Sequence, residues 1–139
     1  MTLKQVVTEL QKIALTQRNV RSTGYGDIYL FMSNPSVKWD VFYVTTADNS
    51  TSVEGLDRYT LTCFYISRIQ DLESSNQLQV HSVGKEVLDN IARIFCEKYD
   101  CDIYGTTYYT FFNQRFEDLA AGCYMQITFE IPASTCIDE

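Results

Sequence analysis

The residues able to do chemistry are few, and their spacing suits none of the common reactions. Cysteine occurs at 63, 96, 101, 123 and 136. Cys96 and Cys101 form a C-x4-C pair that, with the only histidine, His81, makes at most half of a metal site, because zinc sites use two tight ligand pairs. Three of the five cysteines fall inside strand-like or helix-like runs, which predicts reduced, core-filling thiols of a reducing compartment. His81 lies on the apolar stripe of a helical run with no second histidine and no thiol at catalytic spacing. It is expected as a hydrogen-bonded core group and not as a base or ligand. Glu117 and Asp118 are adjacent carboxylates, yet neighbours at a strand end point in different directions and form no acid–base dyad. Gly24-Tyr25-Gly26 lacks the third glycine and the preceding strand of a phosphate loop, and reads as turn geometry. Asp100-Cys101-Asp102 opens like a calcium loop, but Tyr104 and Phe111 stand where an oxygen ligand and a bidentate glutamate are needed, so it too reads as a turn. Nucleophile elbows, Walker loops and zinc-protease motifs do not occur. The expectation is a protein that is not an enzyme and uses no cofactor and no metal.

Composition narrows the classes further. The 139 residues carry a net charge of −7, from 11 basic and 18 acidic side chains. No basic block is present, so nucleic acid is not an expected ligand, while an acidic surface suits DNA passing nearby without sticking. Hydrophobic residues at 45% are enough for one ordinary domain without disulfide or metal support. Ten tyrosines suit strands and protein interfaces alike, as well as a sheet that simply exposes its rings. The amphipathic start MTLKQVVTELQKIAL is neither a signal peptide nor a membrane span, so the product is expected inside the cell when made, with no membrane contact.

The elements that would position these residues follow from periodicity. Leu3, Val6, Val7, Leu10, Ile13 and Ala14 share one face of a helix over 2–17, capped by Thr2, with Lys4, Gln5, Glu9, Gln11 and Lys12 on the wet side. A polar link over 19–26 leads to a strand over 27–33, a turn at Asn34-Pro35-Ser36, and a returning strand over 38–46. Ala47 to Asp57 is small and polar, and longer than antiparallel neighbours need. It reads as a functional loop presenting Asp48, Asn49, Ser50, Thr51, Ser52, Val53 and Glu54, or else as a merely mobile connection. Arg58 to Ile69 is apolar on both faces and predicts a central strand. A long helix ending near Tyr99 buries a stripe of Leu78, His81, Lys85, Leu88, Ile91 and Phe95, and Gly84 within it predicts a close approach by a neighbouring element. Strands over 106–116 and 123–131 close the chain. In the last, Cys123, Met125, Ile127, Phe129 and Ile131 alternate inward with Tyr124, Gln126, Thr128 and Glu130 outward. Pro132 ends it, and a mobile tail is expected to follow.

The predicted fold is a single α+β domain: an antiparallel sheet of four to five strands packed by two helices, in the order α-β-β-β-α-β-β. That order, with the pieces GDIYLFMSNPSVKWDVFYV, YTLTCFYISRIQDLESSNQLQVHSVGKEVLDNI and FFNQRFEDLAAGCYMQITFEIP, resembles the tail-terminator and tail-completion proteins of tailed bacteriophages, especially those of Bacteroides and crAss-like phages. The middle piece contributes an aromatic strand, the Ile69-Gln70-Asp71 turn and a Ser-Asn cap; the last contributes Phe116, Asp118, Ala121 and Gly122 before an amphipathic strand. Trp39-Asp40 departs from the aromatic-proline expected there. The resemblance implies a structural virion protein of the head–tail connector or neck. It would form a closed ring, about six-fold or twelve-fold, through repeated heterologous interfaces. Its partners would be other copies of itself and the portal, adaptor and tail proteins, with DNA crossing the lumen unbound. Contacts are expected from the 48–54 stretch and from Tyr124, Gln126, Thr128 and Glu130. The alternative is a small non-enzymatic binding or regulatory module that uses the free sheet face.

Overall fold

Thr2 starts the first helix as the sequence requires. Its hydroxyl accepts the Gln5 amide at 3.2 Å while the Gln5 side chain accepts the Thr2 amide at 2.8 Å, a reciprocal cap that satisfies two otherwise orphaned donors. In this computed structural model, which describes residues 1–27, 40–53, 55–68, 74–113 and 120–132, helix α1 spans Leu3–Leu15. It is followed by β1 (Ser22–Tyr25), β2 (Val41–Val53), β3 (Leu56–Arg68), helix α2 (Ser74–Tyr99), β4 (Asp102–Asn113) and β5 (Ala120–Pro132). The expected order therefore holds. The expected strand over 27–33 and its turn fall almost wholly outside the described residues, as do the Ile69-Gln70-Asp71 turn, residues 114–119 and the tail, while residues 120–122 belong to β5.

The strands form one sheet in the order β1-β2-β3-β5-β4. β3 is central, as its two apolar faces predicted. Three pairings are antiparallel, but β1 lies parallel to β2, with Ser22 opposite Val41 and Tyr25 opposite Val44. The sheet is thus mixed, and the segment read as a polar link supplies its outermost strand on the β2 side among the described residues. Gly24 suits that strand because a Cβ there would meet the Tyr43 ring at 2.6 Å.

The supposed loop over 47–57 is strand for almost its whole length. β2 and β3 pair out to Val53 opposite Leu56, and Gly55 just before it has φ 77°, the left-handed region that glycine enters without strain. Thr46 pairs with Leu61 and Ser50 with Tyr59, so Ala47, Asp48 and Asn49 stand against Thr60 alone. This bulge breaks the period-two alternation that marks a strand, so the stretch carries a loop-like pattern in sequence.

Both helices cover one face. Phe42, Val44, Leu61, Cys63, Met125, Ile127 and Phe129 from the sheet pack with Val6, Leu10, Leu88, Ile91 and Phe95, all fully buried. Each such side chain contributes roughly 1.5–3 kcal/mol of transfer free energy. The alternation predicted for the last strand is complete: Cys123 through Ile131 are buried at every second position. Gly84 brings α2 against the sheet, since a Cβ there would lie 2.6 Å from Cys123 Sγ and 2.9 Å from the Tyr65 ring.

Two face assignments need correcting. Glu9 belongs to the interhelical seam, only 5% exposed. The amino-terminal part of the α2 stripe is not covered: Leu78 is 67% exposed, Lys85 is exposed and His81 is half-buried.

Candidate functional site

The sheet face opposite the helices is built by cross-strand pairs that the register dictates. Arg58 faces Glu130, Thr60 faces Thr128, Thr62 faces Gln126 and Phe64 faces Tyr124 across β3 and β5. Tyr109 of β4 faces Tyr124 from the other side. Arg58 Nε donates to Glu130 Oε2 at 2.8 Å, and its guanidinium lies 4.2 Å from the Tyr104 ring centroid. The Thr60 and Thr128 hydroxyls bond at 2.8 Å. Tyr124 stacks on Tyr109 at 4.8 Å between centroids and tilts against Phe64 at 5.1 Å. The four outward residues expected as contacts are therefore brought together on one strip. Three are engaged with sheet neighbours, and Gln126 is the exposed member. The other expected contacts, Asp48 to Val53, lie in the distal half of β2, and Glu54 is outside the described residues.

Sequence periodicity did not single out the edge beside this strip. β4 pairs only with β5 among the described residues, and Ile103, Tyr104 and Tyr109 are 44%, 66% and 42% exposed. From Ile103 to Asn113 it carries no charged residue and no proline. Sheet edges normally hold such residues to prevent pairing with another chain, and a single irregularity between Ile103 and Gly105 is the only such device here. The signal was present in the sequence as eleven uncharged residues in a chain of net charge −7. The turn expected over 100–105 is largely this strand, which begins at Asp102.

Between α2 and β4 lies an open cleft of about 690 Å³, lined by His81, Lys85, Glu86, Asp89, Tyr108 and Cys123 among others. The Tyr108 hydroxyl donates to Asp89 Oδ1. Lys85 Nζ sits 3.7 Å from the other Asp89 oxygen and 5.1 Å from the Tyr108 ring centroid. Burial, then the Asp89 carboxylate, pushes the Tyr108 phenol up. Cys123 is pushed up to about 12 by burial, with Asp89 adding to it, and stays a thiol. His81 thus lines a polar cleft and does not serve as the core group expected of it. Among the described residues no group of three or more His, Cys, Asp or Glu side chains could hold a metal ion.

A different polar cluster holds the helices together. Glu9 accepts hydrogen bonds from the Tyr99 hydroxyl at 2.5 Å, Lys98 at 3.3 Å and Lys12 at 3.2 Å. The Tyr99 bond chiefly holds its carboxyl below the ordinary 4.5, with Lys12 and Lys98 helping and burial opposing. On the opposite side of the core, the Tyr65 and Ser67 hydroxyls donate to the two oxygens of Asp40 at 2.6 and 2.5 Å. Every polar side-chain atom buried among the described residues has a partner, and these two carboxylates serve packing.

No protein-family model matches this chain, and no curated protein matches it at a significant level.

Proposed function

We propose that this chain is a structural subunit of the phage head–tail junction, a tail-terminator-like protein that assembles with copies of itself into a ring capping or bridging the portal, neck and tail. The observation that carries the reading is the β4 edge from Ile103 to Asn113: long, uncharged and aromatic, with Ile103, Tyr104 and Tyr109 exposed, and continuous with the Tyr109–Tyr124–Phe64 strip. A monomer with a net charge of −7 gains solubility from repulsion between copies. An unguarded edge in such a chain suits pairing with a neighbouring subunit, where its free N–H and C=O groups find partners. The same acidic balance suits a lumen that DNA crosses without binding. Arg58 and Glu130, and Thr60 and Thr128, are bonded to one another across the strip, which favours a subunit contact over a small-ligand pocket on this face.

Native mass spectrometry and light scattering across a concentration series, with negative-stain images of the product, test the reading. A closed ring of one size is expected. The paired substitutions Tyr104→Lys and Tyr109→Lys, which place charge on the edge, are expected to return it to monomer with the circular dichroism unchanged. A chain that stays monomeric even with portal and tail proteins present, or rings indifferent to the two lysines, would overturn it.

A further inference from the structure

Helix α2 ends by an unusual route that brings two thiols together. Asp100 takes a left-handed conformation (φ 49°) where glycine is the common choice, and the Cys101 amide then donates to the Cys96 carbonyl at 3.2 Å. This closure folds Cys101 back over the last turn, with its thiol donating to Cys96 Sγ at 3.5 Å. Both residues are free cysteines. Cys96 is half-buried at the edge of the core, whereas Cys101 is 6% exposed. Cys96 is thus the more accessible residue of the pair and Cys101 the buried one, which suits an attacking and a resolving thiol.

We propose that Cys96 and Cys101 form a redox-active dithiol site whose co-substrate is a low-molecular-weight disulfide. The Cys96 thiolate attacks one sulfur of the small disulfide, the S–S bond breaks, and one small thiolate leaves. Cys101 then loses its proton and attacks Cys96 Sγ, displacing the second small thiolate. The two protein thiols are oxidised to one disulfide, the reagent is reduced to two thiols, and the two protons end on those thiols. The sulfurs need to close from 3.5 Å to about 2 Å, within reach of side-chain rotation. The hydrogen bond donated by Cys101 holds the Cys96 thiol below its ordinary range and pushes Cys101 up, so the nucleophile is also the more accessible residue. Cys63 and Cys123 are buried, each pushed up to about 12 by burial, and do not compete. The product joins the end of α2 to the start of β4, the two walls of the cleft.

The test uses the full chain with Cys136→Ser, so that only the four cysteines placed by the structure are read. The reduced protein is treated with oxidised glutathione, then denatured, alkylated and mapped by mass. A loss of about 2 Da with Cys96 linked to Cys101, and alkylation of Cys63 and Cys123, is expected. Cys101→Ser is expected to trap one glutathione on Cys96, and Cys96→Ser to abolish reaction. A glutathione adduct that persists on Cys96 in the chain retaining Cys101, a first adduct on any other cysteine, or no reaction would each overturn the proposal.

Discussion

Replacing Glu9 with glutamine separates the charge of the interhelical seam from its shape. The amide keeps an oxygen for the Tyr99 hydroxyl, 2.5 Å away, but turns a charge-assisted bond into a neutral one. Charge-assisted hydrogen bonds contribute about 1.5–3 kcal/mol and neutral ones about 0.5–1.5 kcal/mol. The lysine partners are 68% and 57% exposed and add little against solvent screening. Glu9→Gln is therefore expected to destabilise the fold by about 1–2 kcal/mol at neutral pH, read as the shift in urea midpoint at constant slope. The pH dependence fixes the cause. The folded-state pKa of Glu9 lies below 4.5, so its carboxylate contributes stability that is present above the unfolded value and lost as pH falls through the folded one. The gap between the two proteins should close over that acid range. Tyr99→Phe in both backgrounds should show a coupling of at least about 0.5 kcal/mol. A stability difference that does not change between neutral and acid pH, or effects of Glu9→Gln and Tyr99→Phe that simply add, would refute the assignment of this seam to a Tyr99–carboxylate bond.

Two glycines give further tests of close packing, each measured by thermal or urea unfolding. Gly84→Ala gains about 1 kcal/mol of helix propensity but pushes a methyl group onto Cys123 Sγ and Tyr65. Against an overpacking cost of about 1–3 kcal/mol, the net effect is a loss, which Cys123→Ala should partly relieve in the double variant. Gly122→Ala drives a Cβ into the Tyr65 carbonyl oxygen and to 3.1 Å from the Ile66 Cα, and backbone cannot swing aside as a side chain can. This variant should lose more than about 2 kcal/mol, and no neighbouring side-chain truncation should restore it.

Elements whose residues answer to local rules are legible in the chain before it folds. Thr2 and Gln5 are spaced to cap one helix end, and apolar recurrence every three to four residues marks α1 and the Leu88–Phe95 part of α2. Strict alternation from Cys123 to Ile131 marks a strand with one buried face, because a period of two leaves no other face for those side chains. β3 was legible as central because both of its faces are apolar. Elsewhere a neighbour in space overrides the local pattern. Asp48 to Val53 has no alternation and loop-like composition, and becomes strand because β3 lies beside it to pair. Ser22 to Tyr25 becomes strand through parallel pairing with β2, which no local signal announces. Periodicity groups Leu78, His81 and Lys85 with the buried stripe but cannot say how far along a helix a neighbour covers it, so the cleft beside them was invisible. Glu9 reads as solvent-facing until the end of α2 arrives with Tyr99 and Lys98. Cys96 and Cys101 were visible as a spacing, and only the left-handed turn at Asp100 decides that their sulfurs meet.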